Sequence, residues 1–275
     1  MTSHNASVKK SGITTVLDFY GLSTMPFSKD IPVPRIFLSR ALEDAQSMLE
    51  MGVVTEDILL ISGPIGCGKS VALRYFIDSL DTNAYQPVYL AGNINSPSEF
   101  YKRILSSLLV EPPFSPVKAK AVYFKTISGM TRKPVVIVDD AQDMRDGAML
   151  CVKDMVNFEC DSKNRITFVL AGQSELKHRI SLTTFMAIQQ RIKLDIVLKC
   201  LTLEETCAYI DHSLKISGRP STVFSDNAKS EIFKKSDGVA RRINRICFKA
   251  LLWGAINVKE IIDSADIPSE ELKET

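Results

Sequence analysis

Short apolar runs alternate with longer segments of helical spacing between residues 39 and 198. Apolar runs bounded by turn residues predict strands, and a run without polar positions predicts a strand buried on both faces. Strands are expected at residues 58–61, 86–91, 135–138, 166–171 and 192–198. Because helical segments separate them, the alternation predicts an α/β fold whose parallel sheet is covered on both faces.

The other periodic segments predict amphipathic helices. Within the α/β region they lie at residues 39–49, 71–80, 97–109, 117–130 and 148–158, and Ser96 is the expected N-cap of the third. From residue 202 the pattern is entirely helical, at residues 203–216, 225–235, 239–253 and 258–265. We therefore expect a flexible arm over residues 1–16, an α/β domain over 17–200, a helical domain over 201–266 and a polar tail over 267–275.

The first predicted strand ends in a glycine-rich turn that matches G-x-x-x-x-G-K-[ST]. Glycines in such a turn let backbone N–H groups point at phosphate oxygens, and the following helix adds unpaired donors and a positive dipole end. Lys69 is expected to reach the β- and γ-phosphates, and the Ser70 hydroxyl to bind Mg²⁺. The turn predicts a nucleoside triphosphate site formed by Gly63, Pro64, Ile65, Gly66, Cys67, Gly68, Lys69, Ser70 and Val71.

The strand predicted at residues 135–138 runs into two aspartates, a second signature of such nucleotide sites. Asp139 is expected across from Ser70, where its carboxylate holds Mg²⁺ through water. Asp140 is expected to polarise the attacking water as a general base. Most hydrolases of this type carry glutamate at the second position, so the shorter side chain of Asp140 predicts slow turnover.

An aromatic segment that contains glycine and proline precedes the first predicted helix and runs from Tyr20 to Phe27. One interpretation is a core element that caps the sheet. The other is a wall of the adenine pocket, formed by Tyr20 and Phe27, because the segment lies just upstream of the nucleotide turn. The residues alone leave both interpretations open.

Composition narrows the possible partners and the compartment. The net charge of the 275 residues is only +2, so contact with nucleic acid requires a local basic patch. The six cysteines form no C-x-x-C pair, which predicts reduced, buried thiols and a cytoplasmic protein. No apolar run approaches the length of a bilayer span, so no membrane partner is expected.

The order of these motifs resembles that of the AAA+ ATPases, and more narrowly that of the ExeA/GspA-type group. The segments that carry the resemblance are Tyr20 to Phe27, the nucleotide turn, Asp139 to Gln142, Leu170 to Gln173, Gln190 to Ile192 and Gly238 to Asn244. The last departs from the group's pattern, because Ala240 stands where proline is usual. The resemblance implies ATP as the nucleotide, a five-stranded sheet in the order 5-1-4-3-2 and a small helical lid.

The resemblance also implies roles for four further residues. Gln173 is expected to sense the γ-phosphate or the lytic water, and Arg241 to reach the phosphates from the lid. Arg191 resembles the arginine finger that a neighbouring subunit inserts, with Arg179 as the competing candidate. A finger supplied by a neighbour implies an ATP-dependent ring or helical filament.

Two biological settings share this type of domain. One is a secretion-assembly ATPase that continues into a membrane span and a periplasmic domain, and the end of this sequence at Thr275 favours the other. The other is the stand-alone ATPase of mobile elements, similar to TnsC, TniB and MuB. That setting implies double-stranded DNA, a transposase and a target-selection protein as partners. The candidate DNA contacts are Lys118, Lys120, Lys125, Arg132 and Lys133.

Two alternatives to the transposition regulator remain. An assembly ATPase that acts on a protein partner is expected to form oligomers without DNA. A nucleotide-gated switch with negligible hydrolysis is suggested by Asp140 alone. Turnover measured with and without DNA separates the switch from the other two.

Overall fold

The larger of two structural units is built around a parallel sheet. The computed structural model describes residues 12–55, 58–158, 163–219 and 222–268, and residues 40–199 form this unit. Its strands are β1 (Ile58–Ser62), β2 (Tyr85–Ala91), β3 (Lys133–Asp139), β4 (Thr167–Gly172) and β5 (Ile192–Val197). The spatial order is β2-β3-β4-β1-β5, which is 5-1-4-3-2 read from the other edge. The predicted fold class and sheet order are therefore confirmed.

The three central strands are buried almost throughout, whereas β2 lies at one edge of the sheet. Val88 and Leu90 of β2 face the core, while Tyr89 and Ala91 on the opposite face are exposed. Pro87 fits this place because β2 pairs only with β3, and a proline without an N–H is tolerated in an edge strand.

One helix precedes β1 and others fill the connections between the strands, as the sequence pattern predicts. They are α2 (Arg40–Thr55), α3 (Lys69–Ser79), α4 (Pro97–Ser107), α5 (Pro116–Gly129), α6 (Asp146–Met155), α7 (Ser174–Ile180) and α8 (Met186–Gln189), with α1 in the other unit. Ser96 is the N-cap of α4, because its hydroxyl accepts a hydrogen bond from the Glu99 N–H at 3.2 Å. The short helices α7 and α8 were not predicted.

Phe168 anchors the core of this unit from the central strand β4. Its ring is fully buried and meets the Phe100 ring edge-to-face, with 5.9 Å between the ring centroids. We predict that Phe168→Ala lowers the free energy of unfolding by about 3–5 kcal/mol, because it leaves a cavity between sheet and helix. Urea denaturation checks this against Ser128→Ala on the exposed side of α5. A loss no larger than that of the control contradicts the packing described here.

The second unit combines the N-terminal segment up to residue 39 with the chain from residue 200 onward. Its helices are α1 (Gly12–Tyr20), α9 (Leu203–Ile216), α10 (Asp226–Ser236) and α11 (Ala240–Ile256). Helix α9 begins with a capping box, in which Thr202 and Glu205 satisfy each other's backbone N–H groups. Within the described part of the chain, no helix is long and apolar enough to cross a membrane.

The predicted domain boundaries on the N-terminal side differ from those of the structure. Helix α1 begins inside the predicted arm, and it packs against α11 rather than belonging to the α/β domain expected from residue 17. Tyr20 explains the association: its hydroxyl donates to the Lys259 carbonyl at 3.0 Å, and its own carbonyl accepts from Arg219 at 2.7 Å. Residues 1–11 of the arm and 269–275 of the tail lie outside the described residues.

The helix predicted at residues 258–265 is wrong. Helix α11 ends at Ile256, and Val258 has a φ of +55°, a left-handed conformation that stops a helix. Ile262 then forms a bridge with Phe224 and is fully buried. Of the apolar residues that suggested a helix, Val258 and Ile261 are exposed and Ile262 alone is buried, so their spacing does not mark a buried helix face.

Candidate nucleotide-binding site

The glycine-rich turn joins β1 to α3 at the carboxyl edge of the sheet. Gly66 and Gly68 have φ values of +84° and +102°, which glycine adopts without strain. Lys69, the first residue of α3, is largely buried beneath the turn. Its Nζ donates to the carbonyl oxygens of Gly63 and Pro64, at 2.8 and 2.9 Å. The turn therefore surrounds the positively charged ammonium group of Lys69.

The helix start and β3 bring the two predicted metal-binding side chains together. The Ser70 Oγ donates to the Asp139 Oδ2 over 2.8 Å. In this orientation the proton of Ser70 points at the carboxylate, so the hydroxyl's lone pairs stay available to a cation. Hydroxyl and carboxylate oxygens are the ligands that Mg²⁺ prefers, with phosphate oxygens and water completing its shell. The residues present therefore fit a magnesium nucleotide.

Asp139 also has contacts that the sequence analysis did not anticipate. The Tyr89 hydroxyl of β2 donates to the same Oδ2 at 2.8 Å, and the Asp140 N–H donates to Oδ1 at 2.9 Å. Burial and the hydrogen bond to Asp139 raise the pKa of Tyr89 well above its usual range, so the phenol stays protonated and donates. The register of β2 with β3 places the tyrosine here, because Tyr89 pairs with Ile137, two residues before Asp139, and the sequence does not specify that register.

Asp140 occupies a constrained position just after β3. Its φ of +52° lies in the left-handed region, which aspartate tolerates better than most residues. A Cβ on Gly92 would lie 2.0 Å from the Asp140 carbonyl oxygen, so only glycine allows this approach of the end of β2. Gly92 therefore packs directly against the backbone of Asp140.

Gln142 connects Asp140 to Gln173. Its Nε2 donates to the Asp140 Oδ1, and its Oε1 accepts from the Gln173 N–H, both over 3.1 Å. The end of β4 leaves room for this amide only because Gly172 has no side chain. Gln142 belongs to a predicted motif segment but has no predicted role, and in the structure it contacts the Asp140 side chain and the Gln173 backbone.

Comparison with known proteins agrees with this geometry. Residues 53–180 match the AAA domain family. Over 244 residues the chain is 26% identical to general secretion pathway protein A of Aeromonas hydrophila, a match that covers 85% of this chain and 44% of that protein. The chain therefore contains an AAA domain, in a sequence similar to that of general secretion pathway protein A. It spans less than half the length of this curated relative.

Solved structures show the same AAA+ fold at lower sequence identity. Cdc6p of Pyrobaculum aerophilum aligns with a TM-score of 0.67 and 18% identity, over 86% of this chain and 67% of that one. ORC2 of Aeropyrum pernix, in its ADPNP–ADP complexes, aligns with a TM-score of 0.66 and 14% identity, over 87% of this chain and 69% of that one. RuvB of Thermotoga maritima, a Holliday junction branch migration motor, aligns with a TM-score of 0.54 and 15% identity, over 84% of this chain and 67% of that one.

The two arginine-finger candidates of this AAA+ domain have different surroundings. The Arg179 guanidinium donates to the Gln142 carbonyl at 2.9 Å and pairs with Asp146 at 2.5 Å. Arg191 instead precedes β5, whose first residue pairs with Ile58 at the start of β1. It therefore lies at the edge of the sheet opposite the phosphate-binding turn. Arg179 is engaged within its own unit, and Arg191 lies beside the start of β1, away from the end that carries the turn.

The other AAA+ candidates lie in the helical unit. Tyr20 and Phe27 are buried in its hydrophobic core, which favours their interpretation as a core element over that as an adenine wall. Arg241 is exposed near the start of α11, and its role as a lid arginine stays a prediction.

The structure does not bring the five candidate DNA contacts into one patch. Lys118, Lys120 and Lys125 are exposed on α5, but only the first and last share a helix face, because residues seven apart lie about two turns along. The Lys133 Nζ donates to the Val53 carbonyl at 2.9 Å, and Arg132 donates to the Thr82 carbonyl at 3.2 Å.

The cysteines depart from the expected reduced state. Cys151, Cys207 and Cys247 are free, as predicted, and the first and last are buried. Cys67 of the phosphate-binding turn and Cys200 are each disulfide-bonded, which corrects the prediction for these two. Sequence spacing gave no signal of these bonds. Cys160 lies outside the described residues.

Proposed function

We propose that this protein is an ATPase that assembles on double-stranded DNA with ATP and regulates transposition by recruiting or activating a transposase at the target. The observation that carries the enzymatic part is the grouping of Lys69, Ser70 and Asp139 around the turn. It supplies a cation for the phosphates and two oxygen ligands for Mg²⁺. The ORC2 relative with ADPNP and ADP supports nucleotide binding by this fold.

Hydrolysis follows from the residues beyond the metal ligands. The Asp140 carboxylate accepts a proton from the attacking water as the water oxygen bonds to the γ-phosphorus. The bond from that phosphorus to the β–γ bridging oxygen breaks, which releases ADP and inorganic phosphate. Gln142 holds the Asp140 carboxylate and the backbone of Gln173, whose side chain orients the water. Mg²⁺, when bound, offsets the charge that develops on the phosphate oxygens.

The location of Arg191 supports oligomerisation. It lies at the sheet edge opposite the turn, so it can reach a γ-phosphate only in another copy of the chain. A guanidinium inserted in this way stabilises the charge of the transferring group. Assembly is then coupled to the bound nucleotide, and Arg241 serves as a second, lid-borne contact to the phosphates.

Helix α5 and the loop before it support DNA as the partner. The helix contains three lysines and no acidic residue, so it attracts phosphates without reading sequence. Leu109, Phe114 and Val117 project beside it with 80–96% of their surface exposed, and they form what we call the α4–α5 tip. Lys102 of α4 ties the tip to that helix by donating to the Phe114 carbonyl at 2.8 Å. Exposed apolar groups beside lysines suit a macromolecular partner.

Two exposed lysines on one face of α5 test the DNA contact. We predict that Lys118→Ala with Lys125→Ala weakens binding to duplexes of any sequence and reduces the slope of log affinity against log salt by roughly 1.8. Fluorescence anisotropy across a salt series measures both quantities. The matched control replaces the exposed Lys234 and Lys249 of the helical unit, which changes the net charge equally. Equal slopes for the two variants contradict the assignment.

A second candidate function is an assembly ATPase that acts on a protein partner. The observation that favours it is the match to general secretion pathway protein A. The nucleotide chemistry is then unchanged, but oligomers form without DNA, and the α4–α5 tip contacts protein.

Sedimentation of the purified protein separates the two functions. The samples contain duplex DNA or none, each with ATP, a slowly hydrolysed analogue or no nucleotide. We expect large assemblies only where DNA and nucleotide are both present, and we expect Arg191→Ala to weaken them. A protein that stays small on DNA in every nucleotide state overturns the transposition proposal, and large assemblies without DNA favour the protein partner.

A further inference from the structure

A tyrosine of the edge strand shares one carboxylate oxygen with the metal-binding serine. The Tyr89 hydroxyl and the Ser70 Oγ each donate to the Asp139 Oδ2 over 2.8 Å. The sequence motifs of the nucleotide site do not include this tyrosine. Its hydroxyl therefore adds a contact at the one carboxylate on which the metal site depends.

The contacts of Asp139 leave few positions open. A carboxylate offers about four lone-pair sites, two on each oxygen. On Oδ2 both sites are used by the two hydroxyls, and on Oδ1 one is used by the Asp140 N–H at 2.9 Å. One acceptor site on Oδ1 remains, so the carboxylate cannot rotate without breaking a hydrogen bond.

The backbone explains how Tyr89 reaches this place. In the parallel pair β2–β3, Tyr89 is opposite Ile137 and Ala91 is opposite Asp139. Alternate residues of a strand share a face, so Tyr89 and Asp139 lie on the same side of the sheet. The tyrosine is 53% exposed, so core packing does not account for its orientation. Water could satisfy its hydroxyl, yet the hydroxyl bonds across the strand to Asp139.

We infer that Tyr89 is a positioning residue for the Mg²⁺ site. Its hydroxyl holds Asp139 in an orientation that leaves one lone pair of Oδ1 open, where a water on Mg²⁺ would bind. Ser70 would offer its own lone pairs to the metal while its proton stays on Oδ2. This inference rests on the proposed binding of ATP with Mg²⁺. It adds a residue from β2 to a site otherwise formed by the turn and β3.

Titration of Mg²⁺ in a nucleotide-binding assay tests the inference without measuring hydrolysis. The variant is Tyr89→Phe, which removes only the hydroxyl, and the probe is a fluorescent ADP analogue. We expect the Mg²⁺ concentration for half-maximal gain in affinity to rise roughly tenfold. Affinity in EDTA and the thermal unfolding midpoint of the free protein stay as in the wild type. Tyr85→Phe is the matched control, since Tyr85 begins the same strand, opposite Lys133.

The outcomes separate this inference from the proposed function. A wild-type protein that binds no nucleotide at any Mg²⁺ concentration overturns both. If the wild type binds and Tyr89→Phe has the same Mg²⁺ requirement, only the role of Tyr89 is overturned. A lower requirement in the variant also overturns it, because the hydroxyl would then compete with the metal. A loss of affinity in EDTA equal to that in Mg²⁺ identifies a structural role and overturns positioning.

Discussion

Lys69→Ala is expected to weaken the binding of ATP with Mg²⁺ by at least ~100-fold, because hydrogen bonds from a charged donor each contribute about 1.5–3 kcal/mol. The ammonium lies inside the turn, 2.8 and 2.9 Å from the Gly63 and Pro64 carbonyls. When phosphates enter, it exchanges these neutral acceptors for anionic ones. Alanine removes the cation and leaves the turn to hold several negative charges with backbone N–H groups alone.

Fluorescent-nucleotide titration measures this effect, with Lys249→Ala as the control. Lys249 is an exposed lysine on α11, so its replacement removes the same charge without touching the turn. Circular dichroism verifies that both variants fold. An affinity for Lys69→Ala within tenfold of the wild type contradicts the role given to this lysine.

Asp140→Asn is expected to lower ATP turnover by roughly 10²–10⁴-fold, the usual contribution of a general base, while nucleotide affinity stays within a few-fold. The amide cannot accept the proton of the attacking water. It can still occupy the left-handed conformation at φ +52°, which asparagine also tolerates, so the backbone beside Gly92 is undisturbed. This variant is therefore expected to lose ATP turnover while it still binds the nucleotide.

Phosphate release under saturating ATP measures the effect, and Asp143→Asn is the matched control. Asp143 lies three residues further along and is exposed, so its substitution removes one nearby negative charge without removing the base. Turnover of Asp140→Asn equal to that of the control assigns the general base to another group.

The sequence predicts the sheet and the phosphate-binding turn because both depend on local signals. Apolar runs identify the strands, and the spacing from Gly63 to Ser70 fixes the turn at the end of the first. The sheet order came from the family resemblance, and the structure confirms it. Strand-end position alone also suggested that Asp139 lies across from Ser70, and the structure joins them by a hydrogen bond.

The remaining features depend on contacts between distant residues. Helix α1 joins the C-terminal helices because Tyr20 bonds to Lys259, far along the chain, and no local pattern shows this. The segment around Ile262 has helical spacing but becomes extended once Val258 turns left-handed. The place of Tyr89 depends on the register of β2 with β3, which the sequence alone does not specify.

The most direct test of the account is ATP turnover per subunit as a function of protein concentration, with and without duplex DNA. The account predicts that turnover rises with concentration, rises further on DNA, and is lost in Arg191→Ala even though that variant still binds nucleotide. Mixing Arg191→Ala with Asp140→Asn should restore part of the activity, because each supplies what the other lacks. Turnover that is independent of concentration and DNA, with Arg191→Ala as active as the wild type, would contradict it.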